Sequence, residues 1–390
     1  MNKKGIFFGL LICNLSVGLA QKVENRFPIS RLKFLGEYDV PHKQAYSGTT
    51  IGGLSGIDYD PQKKIYYLIS DDRSAINAAR FYTASIRFNE NGIQDVQFVS
   101  VTNMLGPDGK VYPNSAQDPA HTPDPESMRY DALHRQLIWS SEGERIVRPG
   151  KVVLEDPAIT AITTKGNYID TFILPPNMHM HADERGPRQN GVFEGLTFAD
   201  HFKTLYVNVE EPIYEDGSRA GLNDSSGWIR IIRYLTNTRK PVAEYAYQID
   251  PVAYPPNPPG AFKINGVPDI LWLGNNKLMI TERSFSTGRS GCVIKIYQAD
   301  LKGATNVLNI RSVKGNRSIK PVRKKLLLNM DALGIYIDNI EGATFGPRLP
   351  NGHRTLIFVA DDNFAEDEKT QFLLFEVFEN KNKVFNKRKS

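Results

Sequence analysis

The chain of 390 residues contains five copies of one sequence block, and this repetition constrains its fold more strongly than any other feature. The block openings recur at intervals of 68 to 75 residues. They read GGLS at 52–55, ESMR at 126–129, EGLT at 194–197, DILW at 269–272 and EGAT at 341–344. Such a chain is expected to build similar units side by side, because one unit cannot bury its apolar face alone.

Each opening is followed by a turn and then by an apolar run that ends in acidic residues. In the second and third blocks, the opening and closing acids are 16 residues apart, which is the length of a β-hairpin. The third block continues with segments 227–236 and 241–250, which are rich in β-branched and aromatic residues and bounded by turn formers. Equivalent segments follow in blocks one and four, at 80–88, 93–101, 292–301 and 321–328. Each block therefore predicts four short antiparallel strands.

We therefore predict an all-β fold, a β-propeller of four-stranded antiparallel blades. Five blades follow from the five blocks, and six remain open if the long segments between blocks hide further strands. The fifth block ends after segment 371–378 with its fourth strand missing. Segment 31–41 resembles the outer strand of block three, so it is the candidate for that strand. Pairing the two ends of the chain would close the ring and remove an open sheet edge.

The N-terminus has the pattern of a secretory signal peptide. Lys3 and Lys4 precede an apolar stretch over 6–17, and small residues follow at Gly18 and Ala20. The apolar stretch is too short for a comfortable membrane span. We predict that residues 1–20 are removed and that the mature protein is secreted or periplasmic.

The rest of the chain is expected to form one domain over 21–380, followed by a basic polar tail over 381–390. Cys292 is then the one cysteine of the mature protein, so it has no disulfide, and burial in a strand is expected for it. No stretch after the signal peptide has the 18 or more apolar residues of a membrane span. The net charge of +5 is modest and the basic residues are scattered, which gives no reason to expect a nucleic-acid partner.

The acidic residues of the blocks are expected to meet at one face of the propeller. In a four-stranded blade the first strand begins, and the second strand ends, at the same face, and the innermost strand lines the central channel. Most of the long loops are predicted at this face as well, where binding residues usually accumulate. The candidate metal ligands are Asp71, Glu126, Glu142, Glu194, Glu210, Asp269, Glu282, Glu341 and Asp361.

So many carboxylates around one axis repel one another unless protons, basic partners or cations offset their charge. Calcium is the candidate cation, because it takes six to eight oxygen ligands in a tolerant geometry. The alternative is that the acids accept hydrogen bonds from loop amides or pair with arginines. Those arginines are Arg73, Arg129, Arg145 and Arg283.

A second cluster of candidate ligands lies in the loop before Glu194. His179, His181 and Asp183 are spaced to place two imidazoles and a carboxylate on one transition metal, although a solvated loop is the simpler interpretation. Arg188 in the same loop is a candidate for binding a substrate anion, because a guanidinium matches phosphate and carboxylate in bidentate fashion. Ser55 lacks the closing glycine of a G-x-S-x-G nucleophile elbow, so the sequence does not predict a serine hydrolase of that class.

The blocks resemble one known family. The motifs that carry the resemblance are GGLSGIDYD at 52–60, SDDR at 70–73, DPESMR at 124–129, FEGLTF at 193–198, PDIL at 268–271, TER at 281–283, IEGATF at 340–345 and ADDN at 360–363. Over about 32–378 the chain is similar to the phytase-like propeller family, which is also described as having the esterase-like activity of phytase.

The resemblance implies a calcium-dependent hydrolase of phosphate esters, in which acid-bound calcium ions bind the substrate phosphate and activate water. Glu194 and Glu341 are then the expected catalytic residues, and Arg73, Arg283 and Arg188 the expected substrate-binding residues. The expected partner is a small-molecule ester or phosphate ester, and the expected assembly is a monomer. Two alternatives remain: a propeller that binds a ligand or protein without catalysis, and a calcium-dependent lactonase or carboxylesterase.

Overall fold

The computed structural model describes residues 27–223 and 227–380. The predicted signal peptide and the C-terminal tail lie outside the described residues. Within the described part of the chain, no helix combines the length and the apolar character needed to cross a membrane.

Five four-stranded antiparallel sheets form the structure, which confirms the predicted five-bladed propeller. Before the first blade come β1 (Ile29–Asp39) and a short hairpin of β2 (Ala45–Tyr46) and β3 (Thr49–Thr50). Blade 1 contains β4 (Leu54–Asp60), β5 (Ile65–Ser70), β6 (Arg80–Asn89) and β7 (Gly92–Asn103). Blade 2 contains β8 (Pro125–Asp131), β9 (Gln136–Ser141), an inserted hairpin of β10 (Glu144–Arg148) and β11 (Lys151–Glu155), then β12 (Ala158–Thr163) and β13 (Tyr168–Thr171).

The remaining blades follow the same order along the chain. Blade 3 contains β14 (Phe193–Ala199), β15 (Thr204–Val209), β16 (Trp228–Leu235) and β17 (Lys240–Gln248). Blade 4 contains β18 (Lys263–Gly274), β19 (Lys277–Ser286), β20 (Val293–Asp300) and β21 (Arg323–Asn329). Blade 5 contains β22 (Asn339–Arg348), β23 (Arg354–Asp361) and β24 (Gln371–Glu379). Single turns of 3-10 helix occur at Pro176–Met178, Tyr214–Asp216 and Met330–Leu333.

The N-terminal strand completes blade 5, as the sequence predicts. Strand β1 pairs antiparallel with β24, with Leu32 opposite Val377 and Glu37 opposite Leu373. The sheet order β1-β24-β23-β22 therefore joins the two ends of the described chain in one blade. This pairing leaves no blade of the ring with three strands, and the six-bladed alternative does not hold for the described residues.

The apolar core lies between adjacent blades. Tyr67 and Phe81 of blade 1 pack with Trp139 of blade 2, and all three side chains are buried. A larger cluster joins Met279 of blade 4 to Phe358 of blade 5. Each side chain of this size contributes about 1.5–3 kcal/mol when it leaves water, so stacking the blades is a main source of stability. Cys292, the one cysteine within residues 27–223 and 227–380, is free.

One arginine ties the five innermost strands together at the axis. Arg129 of β8 donates hydrogen bonds to the backbone carbonyls of Leu196 (2.5 Å), Ile57 (2.6 Å) and Ala343 (2.8 Å). It also donates to both carboxylate oxygens of Asp269, at 2.7 and 2.9 Å. These partners belong to the innermost strands of blades 3, 1, 5 and 4, so the Arg129 guanidinium bonds to every other blade of the ring.

Candidate functional site

Each innermost strand contains a β-bulge near its first residues. The pairing register skips between Leu54 and Gly56 in blade 1, and at the equivalent point in the other four blades. The skipped position holds Glu126 in blade 2, Glu194 in blade 3 and Glu341 in blade 5. Bulges commonly re-aim side chains beside active sites, and here they direct three glutamates into the channel mouth.

The second strands bring four further acids to the same place. Asp71, Glu142 and Glu210 follow the last residues of β5, β9 and β15 within one residue, and Asp361 ends β23. Antiparallel pairing puts these strand ends beside the starts of the innermost strands. Seven of the nine predicted metal ligands therefore line one cavity of about 820 Å³, which we call the mouth cavity.

Four of these acids and Asp124 form two close groups. One group contains Asp124, Glu126 and Glu142, and the other contains Glu142, Glu194 and Glu210. In each group, one carboxylate oxygen from every member lies within 4.8 Å of the others. Glu142 belongs to both groups, so the five carboxylates form one continuous cluster. All five are buried.

Burial and mutual repulsion disfavour the ionised forms of these carboxylates. Burial, with like charges beside it, raises the pKa values of Glu126, Glu142 and Glu194 well above the ordinary value for glutamate. Burial also raises the pKa of Asp124 to about 7, although the nearby Arg73 opposes the shift. The ion pairs that reach the cluster are Arg73 with Asp124 and Arg283 with Glu210. Within the described residues, Glu126, Glu142 and Glu194 have no basic partner at ion-pair distance.

Arg283 lines the mouth cavity and pairs with two of its acids. It donates to Glu210 at 2.5 Å, to Glu341 at 2.9 Å and to Asn339, and its side chain is only 13% exposed. Burial raises the pKa of Glu341 to about 7, with Arg283 opposing the shift and Glu210 adding to it. The Nε atom of Arg283 is buried and has no hydrogen-bond partner among the described residues.

The other two arginines predicted to bind substrate do not line the mouth cavity. Arg73 pairs with Glu144 at 2.8 Å and with Asp124 at 3.5 Å, behind the carboxylate cluster. Arg188 packs on the ring of Tyr214 at 4.0 Å and donates to two backbone carbonyls, so it holds a loop together. The sequence analysis missed Arg219 and Arg289, which line the cavity from the loops between the second and third strands of blades 3 and 4.

Asp269 and Glu282 are the two predicted ligands that lie elsewhere. In blade 4 the bulge holds Val267 and Pro268, so Asp269 is deeper in the channel, where it pairs with Arg129. Block four therefore does not open at Asp269, because β18 begins at Lys263.

Glu282 lies beside Arg283 in β19, and because successive side chains of a strand point to opposite faces, it faces away from the cavity that Arg283 lines. Its carboxylate accepts hydrogen bonds from Lys324 Nζ at 2.6 Å, Tyr247 Oη at 2.7 Å and the Asp250 amide at 2.9 Å. The alternative interpretation, in which acids pair with basic groups and amides, therefore describes these two residues well.

The histidine loop shows no convergence on a metal. His179 contacts Asp156 at 2.6 Å, and Asp183 pairs with Arg185 on the protein surface. Neither of the two candidate metal groups in the described residues includes His179, His181 or Asp183.

The sequence is similar to a described protein family. A family model described as "Phytase-like: Esterase-like activity of phytase" matches residues 49–364. No curated protein matches the sequence.

Solved structures give distant matches. An endo-arabinase from Bacteroides thetaiotaomicron VPI-5482 is 11% identical, with a TM-score of 0.44, over 85% of this chain and 96% of its own. A putative 6-phosphogluconolactonase from Bacteroides uniformis ATCC 8492 is 12% identical, with a TM-score of 0.32, over 80% of each chain. At these identities and TM-scores, the similarities say nothing about function.

Proposed function

The chain belongs to the phytase-like family, and from this premise we propose that it is a hydrolase of phosphate esters that uses a divalent cation, calcium, at the mouth cavity. The observation that carries the proposal is the pair of buried carboxylate groups that share Glu142. Asp71, Glu341 and Asp361 line the same cavity. The predicted secretion fits this proposal, because calcium sites of extracellular modules typically have Kd values of about 10⁻⁴–10⁻³ M.

The residues present fit calcium by the chemistry of their donors. Both groups offer only carboxylate oxygens, which suit hard cations, and neither contains the histidine or cysteine that zinc and copper prefer. The raised pKa values of Glu126, Glu142 and Glu194 describe the cost of ionising these groups without a cation. We propose Asp124, Glu126, Glu142, Glu194 and Glu210 as the residues that would hold the cation, with Glu142 shared between two positions.

Glu341 is the candidate general base. It lies in the cavity outside both close groups, and Asn339 and Arg283 orient its carboxylate at 3.0 and 2.9 Å. Its pKa of about 7 is suited to accepting a proton from water near neutral pH. A bound calcium ion would supply neutralisation of the phosphate charge and a lower pKa of the attacking water. The Arg283 guanidinium lines the cavity and is the candidate group to contact a phosphate oxygen.

The experiment is calcium titration of the metal-stripped protein by calorimetry, followed by assays with p-nitrophenyl phosphate, phenyl acetate and a lactone. We expect calcium binding, calcium-dependent release of phosphate, and loss of activity in EDTA. Glu142→Gln should lose calcium binding and turnover together, whereas Glu341→Gln should bind calcium and lose turnover. The matched control is Glu282→Gln, since Glu282 is a buried acid outside the cavity.

Other outcomes would overturn the proposal in distinct ways. Calcium binding without turnover would favour a binding propeller, and turnover of phenyl acetate or a lactone alone would favour a carboxylesterase or lactonase. Hydrolysis of the phosphate ester that persists in EDTA would exclude the role assigned to calcium.

A further inference from the structure

The first two strands of blade 4 reach farther beyond the bulge than those of the other blades. Strands β18 and β19 have 12 and 10 residues, whereas their counterparts in blades 1 to 3 have 7 and 6. Four residue pairs, from Lys263 opposite Ser286 to Gly266 opposite Arg283, lie on the mouth side of the bulge. Blades 1 to 3 have one pair there. The hairpin of β18 and β19 thus has three additional pairs on the mouth side. At about 3.3 Å per residue, they extend it roughly 10 Å beyond the mouth-side ends of the first two strands in blades 1 to 3.

The raised hairpin turns an apolar face to the mouth cavity. Ile264 and Phe285 are directly opposite in the register, so their side chains lie on one face, and both line the cavity. Phe262 precedes β18 and lines the same side, with its ring centroid 6.1 Å from that of Phe285. We call Phe262, Ile264 and Phe285 the aromatic wall. The Phe262 side chain is 57% exposed, which leaves its ring available for contact.

Backbone hydrogen bonds hold the aromatic wall in place. The Thr287 amide donates to the Phe262 carbonyl at 3.0 Å, and the Asn257 amide donates to the Thr287 carbonyl at 2.8 Å. Ser286 Oγ donates to the Tyr254 carbonyl at 2.7 Å. The exposed ring therefore belongs to a loop that is tied to both strands of the hairpin.

The charges of the cavity restrict what can lie against this wall. Eleven acidic side chains and three arginines line the mouth cavity, so even two calcium ions leave an excess of acidic groups. A substrate with many phosphates would meet this excess at every position away from the bound cations. A substrate with one phosphate avoids that repulsion, and the aromatic wall then contacts the rest of the molecule.

We propose that the substrate is a phosphate monoester with an aromatic or similarly flat apolar group, which packs against Phe262 and Phe285 while its phosphate lies at the carboxylate cluster. This inference rests on the proposed function and specifies its substrate class. Stacking on Phe262 adds binding energy without any charged contact, because ring faces and edges attract apolar and aromatic groups. An inositol polyphosphate is the class of phosphate ester that this geometry disfavours.

The test compares 2-phenylethyl phosphate with ethyl phosphate, whose leaving groups have similar reactivity. For the calcium-loaded wild type, we expect a higher kcat/KM with 2-phenylethyl phosphate and little turnover of inositol hexakisphosphate. Phe262→Ala should lower kcat/KM for 2-phenylethyl phosphate roughly tenfold, equal to about 1.4 kcal/mol, and leave that for ethyl phosphate unchanged. Phe262→Tyr should keep the selectivity. Leu133→Ala, an exposed apolar residue of the β8–β9 turn at the far face, is the matched control.

The inference and the proposed function fail differently. Equal turnover of the two monoesters by the wild type would contradict the substrate-binding role of the aromatic wall, as would an equal loss with both in Phe262→Ala. The proposed hydrolase function would remain. If neither ester is hydrolysed, the binding of phenylphosphonate and methylphosphonate tests the aromatic wall separately from catalysis. A preference for phenylphosphonate that Phe262→Ala removes would support ligand binding at the aromatic wall in a protein without catalysis. Binding of neither compound would overturn both proposals.

Discussion

The channel of this propeller contains buried carboxylates in two different settings. Deeper in the channel, Asp269 is bound by the guanidinium of Arg129, which also bonds to the backbone of the other blades. At the mouth, Glu126, Glu142 and Glu194 are also buried, and within residues 27–223 and 227–380 the ion pairs of the cluster reach only Asp124 and Glu210. The difference separates a carboxylate whose counter-charge the chain itself supplies from carboxylates for which we propose a cation from solution. Three substitutions and a change of pH test the difference between the two settings.

The largest expected effect comes from removing the internal counter-charge. Arg129→Met leaves Asp269 buried without its cation, and three carbonyls of neighbouring blades lose their donor. The free energy of unfolding should fall by about 3–5 kcal/mol, measured by urea denaturation. Arg148→Met, at an exposed position of β10, should change it by no more than about 0.5 kcal/mol. An Arg129→Met variant as stable as wild type would contradict the structural role of the axial pair.

The next effect has the opposite sign. Glu142→Gln removes one of several repelling carboxylates, so the metal-free protein should become more stable while calcium affinity falls at least roughly tenfold, or about 1.4 kcal/mol. Thermal melts with and without calcium measure both changes. Glu282→Gln should leave calcium affinity unchanged. A less stable metal-free Glu142→Gln protein would show that the cluster is satisfied without a cation.

The pH dependence of stability separates the two kinds of carboxylate further. Asp124 and Glu341 have pKa values raised to about 7, mainly by burial, so the stability of the metal-free protein should fall as the pH rises from about 4 through 7. Calcium should abolish this loss, because it binds the ionised forms. At Asp250, burial is outweighed by Lys295 and Lys324, which lower the pKa to about 2. Its contribution should disappear only in acid, as the pH falls through 2. Melting temperatures across this range, with calcium and with EDTA, provide the measurement.

The smallest effect concerns Arg283, which partly neutralises the cavity. Arg283→Gln removes the cation shared by Glu210 and Glu341, so calcium should bind about threefold more tightly at low salt. Turnover of the phosphate ester should fall at the same time, because the substrate loses its guanidinium contact. Calorimetry and initial rates on one preparation test both, and weaker calcium binding would contradict the competition between Arg283 and the ion.

The repeat was sufficient to predict five blades, ring closure by the N-terminal strand and the convergence of Glu126, Glu194 and Glu341. The prediction for Asp269 was wrong. This acid occurs at nearly the spacing of the other block openings, but the bulge position in blade 4 is occupied by Val267 and Pro268. A bulge adds a residue and changes the register, and spacing alone does not reveal which residue occupies it. The repeat also left Phe262 unnoticed, because no other block has an equivalent segment.

Asp124 and Arg129 show a second limit of the sequence. Asp124 lies in the loop before β8, outside the strand positions from which the ligands were predicted. Arg129 was considered a general partner for the acids, whereas its hydrogen bonds join four other blades. Its role depends on the distance of each innermost strand from the axis, which only the assembled ring defines.

The closing strand also sets the order in which the protein can be completed. Strand β1 is synthesised before the other strands of the ring and its partner β24 after them, so the contacts between the most distant segments of the ring form last. Until β24 is synthesised, the backbone N–H and C=O groups of β1 have no partner strand. This delay lasts for the synthesis of all the intervening strands of the ring. A chain that stops before Gln371 would retain four complete blades and expose an unpaired edge at each end.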